Sequence, residues 1–341
     1  MSAPLNPSSA PKPDLRTRLT ALFHSFSSRA RNLAFAIHTS SDPHIPPPPT
    51  LPSPAEVQEH GTELCFRQAG PRDRGVWIIT WEGVEMVVKG GEDVDAHEAE
   101  ATELARRLTG LPVPRVYGVR QDGNATYLYF EKLPGESLYH AFPGLSEPPA
   151  ALKTEIKRAV ETMHRVRPSR RFMHRRRQQI GGFPQGNLAA LTVSPEIETP
   201  LWTTKELHRW LRDRFLKHLP ASEEVYNTQV APALRKLRRA PLVFVHGDFN
   251  PGNILVHEGK LSGVIDWERA GWYPSWVEQV AVVRHCAPSD KPSDSAVLEV
   301  VVGTQEEVRK RYGWMEVADE GWIGYKVNPP PSEALLKQYC D

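Results

Sequence analysis

The stretch His246–Val256 has the sequence HGDFNPGNILV and is followed shortly by Ile265–Glu268, IDWE. Asn253 comes five residues after Asp248, and Asp266 lies at the end of the next apolar run. Carboxylate and amide oxygens are the groups that accept a proton from a hydroxyl and that hold a hard divalent cation. The stretch therefore predicts one site built from these three side chains.

The surrounding sequence predicts strands that bring the three side chains together. Leu242–Val245 is an apolar run of strand length that ends at the loop. Asn253–Val256 and Leu261–Ile265 flank the turn HEGK, as expected for a β-hairpin. Asn253 and Asp266 are thus expected at the outer ends of paired strands, close in space.

The pattern Asp-x-x-x-x-Asn with a later Asp is typical of phosphoryl transfer. In that chemistry the first carboxylate takes the hydroxyl proton, and the other two groups hold Mg²⁺ against the nucleotide phosphates. Two alternatives stay open. The Asp and Asn side chains could merely cap turns, or the His-Gly-Asp could belong to a metallophosphoesterase, which would need further His ligands. Three matched positions in the expected strand context favour phosphoryl transfer.

Gly247 stands where a protein kinase carries Arg, and no Ala-Pro-Glu sequence follows, which disfavours a protein kinase. HGDFNPGNILV with the later IDWERAGWYP instead resembles the aminoglycoside phosphotransferase/choline kinase-like family, particularly its fungal members. The resemblance implies an α+β, protein-kinase-like two-lobe fold, ATP and Mg²⁺ as cofactors, and a small-molecule hydroxyl as acceptor. It implies Asp248 as the catalytic base and Asn253 and Asp266 as metal ligands.

The other lobe is expected upstream of this stretch. The runs Val76–Trp81 and Val84–Lys89 alternate as two strands joined across Glu82-Gly83. The second run ends in Lys89, the expected partner of the nucleotide phosphates. A helix is predicted over Asp95–Leu108. The resemblance favours Glu98 on this helix as the partner that orients Lys89, with Glu100 as the alternative.

The run Thr126–Leu133 predicts a strand between the lobes. By resemblance this strand ends in the hinge, where backbone groups of Glu131 and Leu133 would bind the adenine; an ordinary strand and turn is the alternative. No G-x-G-x-x-G occurs, and the only candidate for a loop over the phosphates is the segment 69–75, AGPRDRG, which could equally be a plain turn.

Length and composition limit the classes of protein to which this chain could belong. A chain of 341 residues, with 40% hydrophobic residues and a net charge of +1, predicts a soluble globular protein of two lobes without a polyanionic partner. Three distant cysteines argue against disulfides or a zinc site and fit the reducing cytoplasm. No apolar run reaches membrane-spanning length. Arg165–Arg177 holds seven arginines, and a solvated loop is favoured over a nucleic-acid site because Phe172 is the only interleaved Phe, Tyr or Trp ring.

The predicted domains are a disordered, proline-rich extension over 1–54, a nucleotide-binding N-lobe over 55–134, and a catalytic and substrate-binding C-lobe over 135–341. Within the extension, the amphipathic run Leu15–Ile37 could be a mitochondrial presequence, but a helix that packs on the body or floats is favoured. One more helix is predicted over Val297–Tyr312.

The alternative function is a nucleotide-binding pseudokinase that serves as an interaction module. The missing glycine loop supports this alternative, and the complete Asp/Asn/Asp set opposes it.

Overall fold

The computed structural model describes residues 50–69, 72–144, 146–169, 179–182, 188, 190–191, 200–218, 223–287, 289 and 291–315. The chain separates into two units, Met1–Thr50 and Leu51–Asp341, and the described elements all belong to the second. The predicted amphipathic run Leu15–Ile37 and the arginines of 170–177 lie outside the described residues.

An antiparallel sheet of five strands forms the N-lobe, in the order β1-β2-β3-β5-β4. Its strands are β1 Thr62–Ala69, β2 Arg72–Trp81, β3 Val84–Gly91, β4 Val116–Asp122 and β5 Ala125–Glu131. The predicted pairing of β2 with β3 across Glu82-Gly83 is confirmed, because Trp81 lies opposite Val84. Both turn residues take positive φ, which suits a tight hairpin turn.

Side chains of this sheet alternate between two apolar clusters, as the period of two in a strand requires. On β5, Tyr127 and Tyr129 belong to one cluster with Val57, whereas Leu128 and Phe130 belong to the other. Helix α1, Pro54–His60, packs on the first face, and helix α2, His97–Thr109, packs on the second through Ala99. Both faces of the sheet are therefore covered, which makes it a rigid base for residues at its edge.

The body of the N-lobe begins earlier than the predicted boundary after residue 54. Ser53 caps α1 through a reciprocal capping box with Glu56, and the Tyr129 hydroxyl donates to the Pro52 carbonyl at 2.8 Å. Leu51 packs beside the first cluster. Residues 51–54 thus belong to the folded lobe, because their backbone groups and side chains are engaged by the sheet.

The C-lobe is helical and has one continuous apolar core. Its helices are α3 Leu138–Ala141, α4 Ala150–Arg165, α5 Thr204–His218, α6 Glu223–Val225, α7 Ala231–Leu237, α8 Trp276–Cys286, α9 Pro292–Val301 and α10 Gln305–Tyr312, with a π-helical turn, Tyr226–Val230, between α6 and α7. The small sheet lobe and larger helical lobe agree with the predicted α+β arrangement. Among the described residues, no helix is both long and apolar enough to cross a membrane.

The single helix predicted over Val297–Tyr312 is wrong, because α9 and α10 are separate. Gly303 has φ +126°, which a helix cannot accommodate. Thr304 then starts α10 with a capping box to Glu307.

Short strands of the C-lobe hold the stretch with which the sequence analysis began. They are β6 Glu136–Ser137, β7 Gly181–Gly182, β8 Leu242–Val245, β9 Ile254–His257, β10 Lys260–Val264 and β11 Gly271–Pro274, in two sheets of orders β10-β9-β6 and β7-β11-β8. The predicted hairpin is confirmed as β9 and β10, with Val264 opposite Ile254. The loop containing Asp248 lies between β8 and β9, and Asp266 lies between β10 and β11.

Candidate active site

Lys89 joins the two lobes through a cluster of carboxylates. Its Nζ lies 2.6 Å from Glu98 Oε2, 3.0 Å from Asp266 Oδ1 and 3.2 Å from Glu268 Oε2. The Lys89 side chain is buried. Burial alone would lower the pKa of Lys89, but the charges of Asp266, Glu98 and Glu268 raise it above its usual range, so the amine stays protonated.

Glu98, and not Glu100, is the helix residue that meets Lys89. It is buried in the first turn of α2, where burial and the nearby carboxylates of Asp266 and Glu268 raise its pKa, while Lys89 opposes this. Glu100 lies on the same helix turn but has no ion pair with Lys89 among the described residues, and burial raises its pKa too. The rotation of α2 on the sheet decides between them.

Arg74 on β2 is a second cation at this cluster. Its NH1 lies 3.0 Å from Glu268 Oε2, and its NH2 lies 3.9 Å from Asp266 Oδ2. Burial would lower the pKa of Arg74, but Glu268 and Asp266 raise it, so the guanidinium remains charged. The cluster thus contains two cations and three carboxylates.

Asp266 takes an unusual backbone conformation. Its φ is +62°, in the left-handed region that costs a non-glycine residue about 1–2 kcal/mol. The preceding Ile265 N–H donates to the Asn253 carbonyl at 3.0 Å, and the following Trp267 is buried with its indole N–H on the Val264 carbonyl. These neighbours hold the turn, which directs the Asp266 carboxylate towards Lys89.

The backbone of the loop after β8 is held in place by Glu278 of α8. The N–H groups of His246 and Gly247 donate to its two carboxylate oxygens at 2.7 and 3.1 Å. His246 is buried, accepts from the Asp248 N–H on Nδ1 and lies 2.9 Å from the Ile265 carbonyl through Nε2. This arrangement requires the neutral imidazole with hydrogen on Nε2, and burial lowers the pKa of His246 accordingly.

Gly247 has a steric reason to be glycine. Its φ is +80°, and a Cβ there would lie 2.7 Å from both the Ala190 Cβ and the Arg269 carbonyl oxygen. Any larger residue would push the loop off its support, so the Arg found at this place in protein kinases could not be accommodated.

Asp248 is surrounded by hydrogen-bond donors. His285 Nε2 lies 2.7 Å from its Oδ1, and Asn250 Nδ2 donates to the same oxygen at 3.0 Å. Asn253 Nδ2 donates to the Asp248 carbonyl at 2.9 Å. Burial alone would raise the pKa of Asp248, but the hydrogen bond and charge of His285 and the charge of Arg269 lower it well below its usual range. Asp248 is therefore a carboxylate at neutral pH.

The donor set fits a hard divalent cation. Glu98, Asp266 and Glu268 each offer a carboxylate oxygen, and these oxygens lie within 4.8 Å of one another. Asn253 is linked to the same turn through Ile265, and its Nδ2 is engaged, so its amide oxygen is the atom left to meet a cation. Oxygen donors of this kind suit Mg²⁺.

The expected hinge lies at the end of β5. The Glu131 N–H donates to the Arg115 carbonyl at 2.9 Å, and its side chain accepts from the Arg115 N–H. The backbone N–H of Glu131 is thus engaged within the N-lobe itself. Leu133 lies two residues beyond the end of the strand, and its side chain lies close to Gly263 of β10 in the C-lobe.

Sequence reasoning missed four residues of this site. Glu268 could have been found as a second carboxylate two positions after Asp266. Arg74 falls within the segment 69–75, the candidate loop over the phosphates. Glu278 and His285 gave no local signal, because both lie on α8 and reach the loop only through packing.

Comparisons with known proteins agree with this architecture. The sequence profile of the phosphotransferase enzyme family matches residues 65–311, which is well over half of the chain. No curated protein matches the chain in sequence.

Solved structures with a similar fold include a thermostable mutant of aminoglycoside phosphotransferase APH(4)-Ia in complex with AMP-PNP and hygromycin B. It is 16% identical, with a TM-score of 0.44, over 78% of this chain and 93% of that one. The streptomycin–ATP complex of APH(2")-IIa is 14% identical, with a TM-score of 0.46, over 84% of this chain and 95% of that one.

Proposed function

The chain belongs to the phosphotransferase enzyme family, with the protein-kinase-like fold of that family, and from this premise we propose that it transfers the γ-phosphoryl group of ATP to a hydroxyl of a small molecule, with Mg²⁺ as cofactor. The observation that carries the proposal is Lys89, which contacts Glu98 of the N-lobe and Asp266 of the C-lobe at once. A cation fixed between lobes at a carboxylate pair is what phosphoryl transfer requires, because its catalysis is mainly positioning and charge stabilisation.

Each side chain has a role in this proposal. Asp248 accepts the proton of the acceptor hydroxyl, and its Oδ2 is the oxygen without a hydrogen bond from the described residues. Lys89 binds the phosphates and Glu98 orients it. The carbonyl of Glu131 and the backbone of Leu133 hold the adenine.

Asn253 and Asp266 would hold Mg²⁺, and Glu268 is a further candidate ligand. When bound, Mg²⁺ would neutralise the negative charge of the nucleotide phosphates. The chain's own contribution is the fixed geometry. Asp266 is held by the turn at Ile265, and Asn253 is held by its bond to the Asp248 carbonyl.

The charges near Asp248 favour an anionic or neutral acceptor over a polycation. Arg269 and His285 are one-third and two-fifths exposed, and both act on the Asp248 carboxylate. Two nearby carboxylates of the described C-lobe, Glu278 and Asp294, are buried and accept hydrogen bonds from the protein itself. A polycation would therefore meet basic side chains without a free carboxylate among these residues.

The test is ATP turnover with a pool of hydroxylated metabolites sorted by charge, using the wild type and Asp248→Asn. Removal of the base should lower turnover by about 10²–10⁴-fold, the usual contribution of general-base catalysis, while Mg²⁺·ATP still stabilises the variant against heat. Binding of Mg²⁺·ATP without turnover beyond that of Asp248→Asn would favour a pseudokinase. Absence of nucleotide binding would contradict the proposal.

A further inference from the structure

The phosphate-binding part of the N-lobe is unusual in this chain. The segment 69–75, AGPRDRG, includes the end of β1 and the start of β2, and it lacks the G-x-G-x-x-G pattern. That pattern places several backbone N–H groups against the phosphates of a nucleotide. A nucleotide site at this edge of the sheet therefore needs another donor.

Arg74 lies where such a donor is needed. In the β2–β3 ladder Val76 is opposite Lys89, and Arg74 is opposite Gly91. Residues two apart on a strand point to the same face of the sheet, so Arg74 is a diagonal neighbour of Lys89 on the face that meets the C-lobe. Its guanidinium reaches Glu268 at 3.0 Å and Asp266 at 3.9 Å, and the side chain is about one-quarter exposed.

The contacts of Arg74 depend on the charge of the cluster. Without nucleotide, Arg74 and Lys89 offset three carboxylates, namely Glu98, Asp266 and Glu268. A divalent cation that binds Asp266 and Glu268 would repel both side chains from those oxygens. The phosphates brought by that cation would then be the nearest anions to the guanidinium.

We propose that Arg74 is a phosphate-binding residue for the nucleotide, which supplies through one guanidinium the donors that a glycine-rich loop supplies through its backbone. This inference rests on the proposed function. In the absence of Mg²⁺·nucleotide, Arg74 forms an ion pair with Glu268. A guanidinium suits both states, because its planar fork can give two parallel hydrogen bonds to a carboxylate or to a phosphate.

The experiment is calorimetric titration of the full chain with ATP and with adenosine, in excess Mg²⁺. The variants are Arg74→Ala, Arg74→Lys and the control Arg107→Ala, which removes the same charge from a half-exposed position on α2. Arg74→Ala should weaken ATP binding by about 10- to 100-fold, the range for a lost hydrogen bond to a charged group. Adenosine binding should not change. The ATP affinity of Arg74→Lys should lie between those of the wild type and Arg74→Ala, because lysine keeps the charge but lacks the planar fork. Arg107→Ala should bind ATP like the wild type.

Two results would overturn the inference alone. If Arg74→Ala binds Mg²⁺·ATP as tightly as the wild type or more tightly, Arg74 only competes with the metal for Glu268. If ATP and adenosine lose equal affinity, Arg74 acts through the structure of the lobe, which the melting temperature without nucleotide would register as well. A wild type that binds no nucleotide would instead overturn the proposed function and, with it, this inference.

Discussion

His285 and Asp248 form a close pair at the candidate base, with Nε2 of the histidine 2.7 Å from Oδ1 of the aspartate. Because Asn250 donates to the same oxygen, both contacts fix one side of the carboxylate. The other oxygen, Oδ2, has no hydrogen bond from the described residues. His285 stands in the last turn of α8, and its side chain is 40% exposed.

This pair predicts a selective effect on turnover. His285→Phe removes the donor and should lower kcat by about 10-fold, the equivalent of one hydrogen bond, with the KM for ATP unchanged. His285→Gln keeps an N–H donor and should retain most of the activity. Steady-state kinetics of both variants test this, with the melting temperature as control, because an exposed side chain contributes little to stability. Equal losses in the two variants would contradict a role in orienting Asp248.

The carboxylate cluster predicts a dependence on Mg²⁺. Asp266→Ala should abolish stabilisation by Mg²⁺·ATP, because it removes a metal ligand and leaves phosphate charge uncompensated. Glu268→Gln should raise the Mg²⁺ concentration needed for half-maximal stabilisation. The measurement is the shift of melting temperature across a Mg²⁺ titration at fixed ATP. The control, Glu258→Gln, removes an exposed carboxylate from the β9–β10 turn and should behave like the wild type.

Glu278 predicts a pH dependence of stability. Burial raises its pKa from 4.5 to about 7, although the N–H groups of His246 and Gly247 oppose this. Since the folded state holds the proton more tightly than the unfolded state, this carboxyl lowers stability as pH rises from 4.5 to 7, and its penalty is complete above 7.

The corresponding variant is Glu278→Gln, which cannot ionise. Its melting temperature should fall less than that of the wild type between pH 4.5 and 7, and Glu306→Gln, an exposed control, should follow the wild type. Catalysis should decrease in Glu278→Gln, because the single oxygen of an amide can accept only one of the two loop N–H groups that the two carboxylate oxygens accept. Parallel pH curves for Glu278→Gln and the wild type would rule out burial of Glu278 as the cause.

The contacts at the start of the N-lobe predict how far the chain can be shortened before the folded lobe loses stability. A chain beginning at Leu51 should be more stable than one beginning at Gly61, because α1 buries Val57 completely and Pro52 accepts from Tyr129. The loss should be about 2–4 kcal/mol, comparable to removal of one or two buried apolar side chains. Chemical denaturation of both chains measures it. Val57→Ala in the longer chain should lose about 1–3 kcal/mol, and equal stability of the two chains would show that α1 does not support the sheet.

The sequence alone predicted the elements whose geometry is local. The runs Asn253–Val256 and Leu261–Ile265 on either side of the turn HEGK predicted a hairpin, and β9 and β10 form that hairpin. Alternating apolar residues predicted a strand over Val84–Lys89, and the structure has this strand as Val84–Gly91. Such features follow from the period of a strand and the preferences of a turn, which involve residues close together in the chain.

Tertiary structure decided which distant groups meet at the site. The choice of Glu98 over Glu100 depends on how α2 is rotated on the sheet, and two residues of one helix turn are equivalent in sequence. The pairing of His285 with Asp248 depends on how α8 packs below the loop. Arg74 reaches Glu268 only because the lobes face each other across Lys89. These contacts join residues far apart in the chain. No periodic pattern in a sequence shows which side chains of separate elements will meet once those elements pack together.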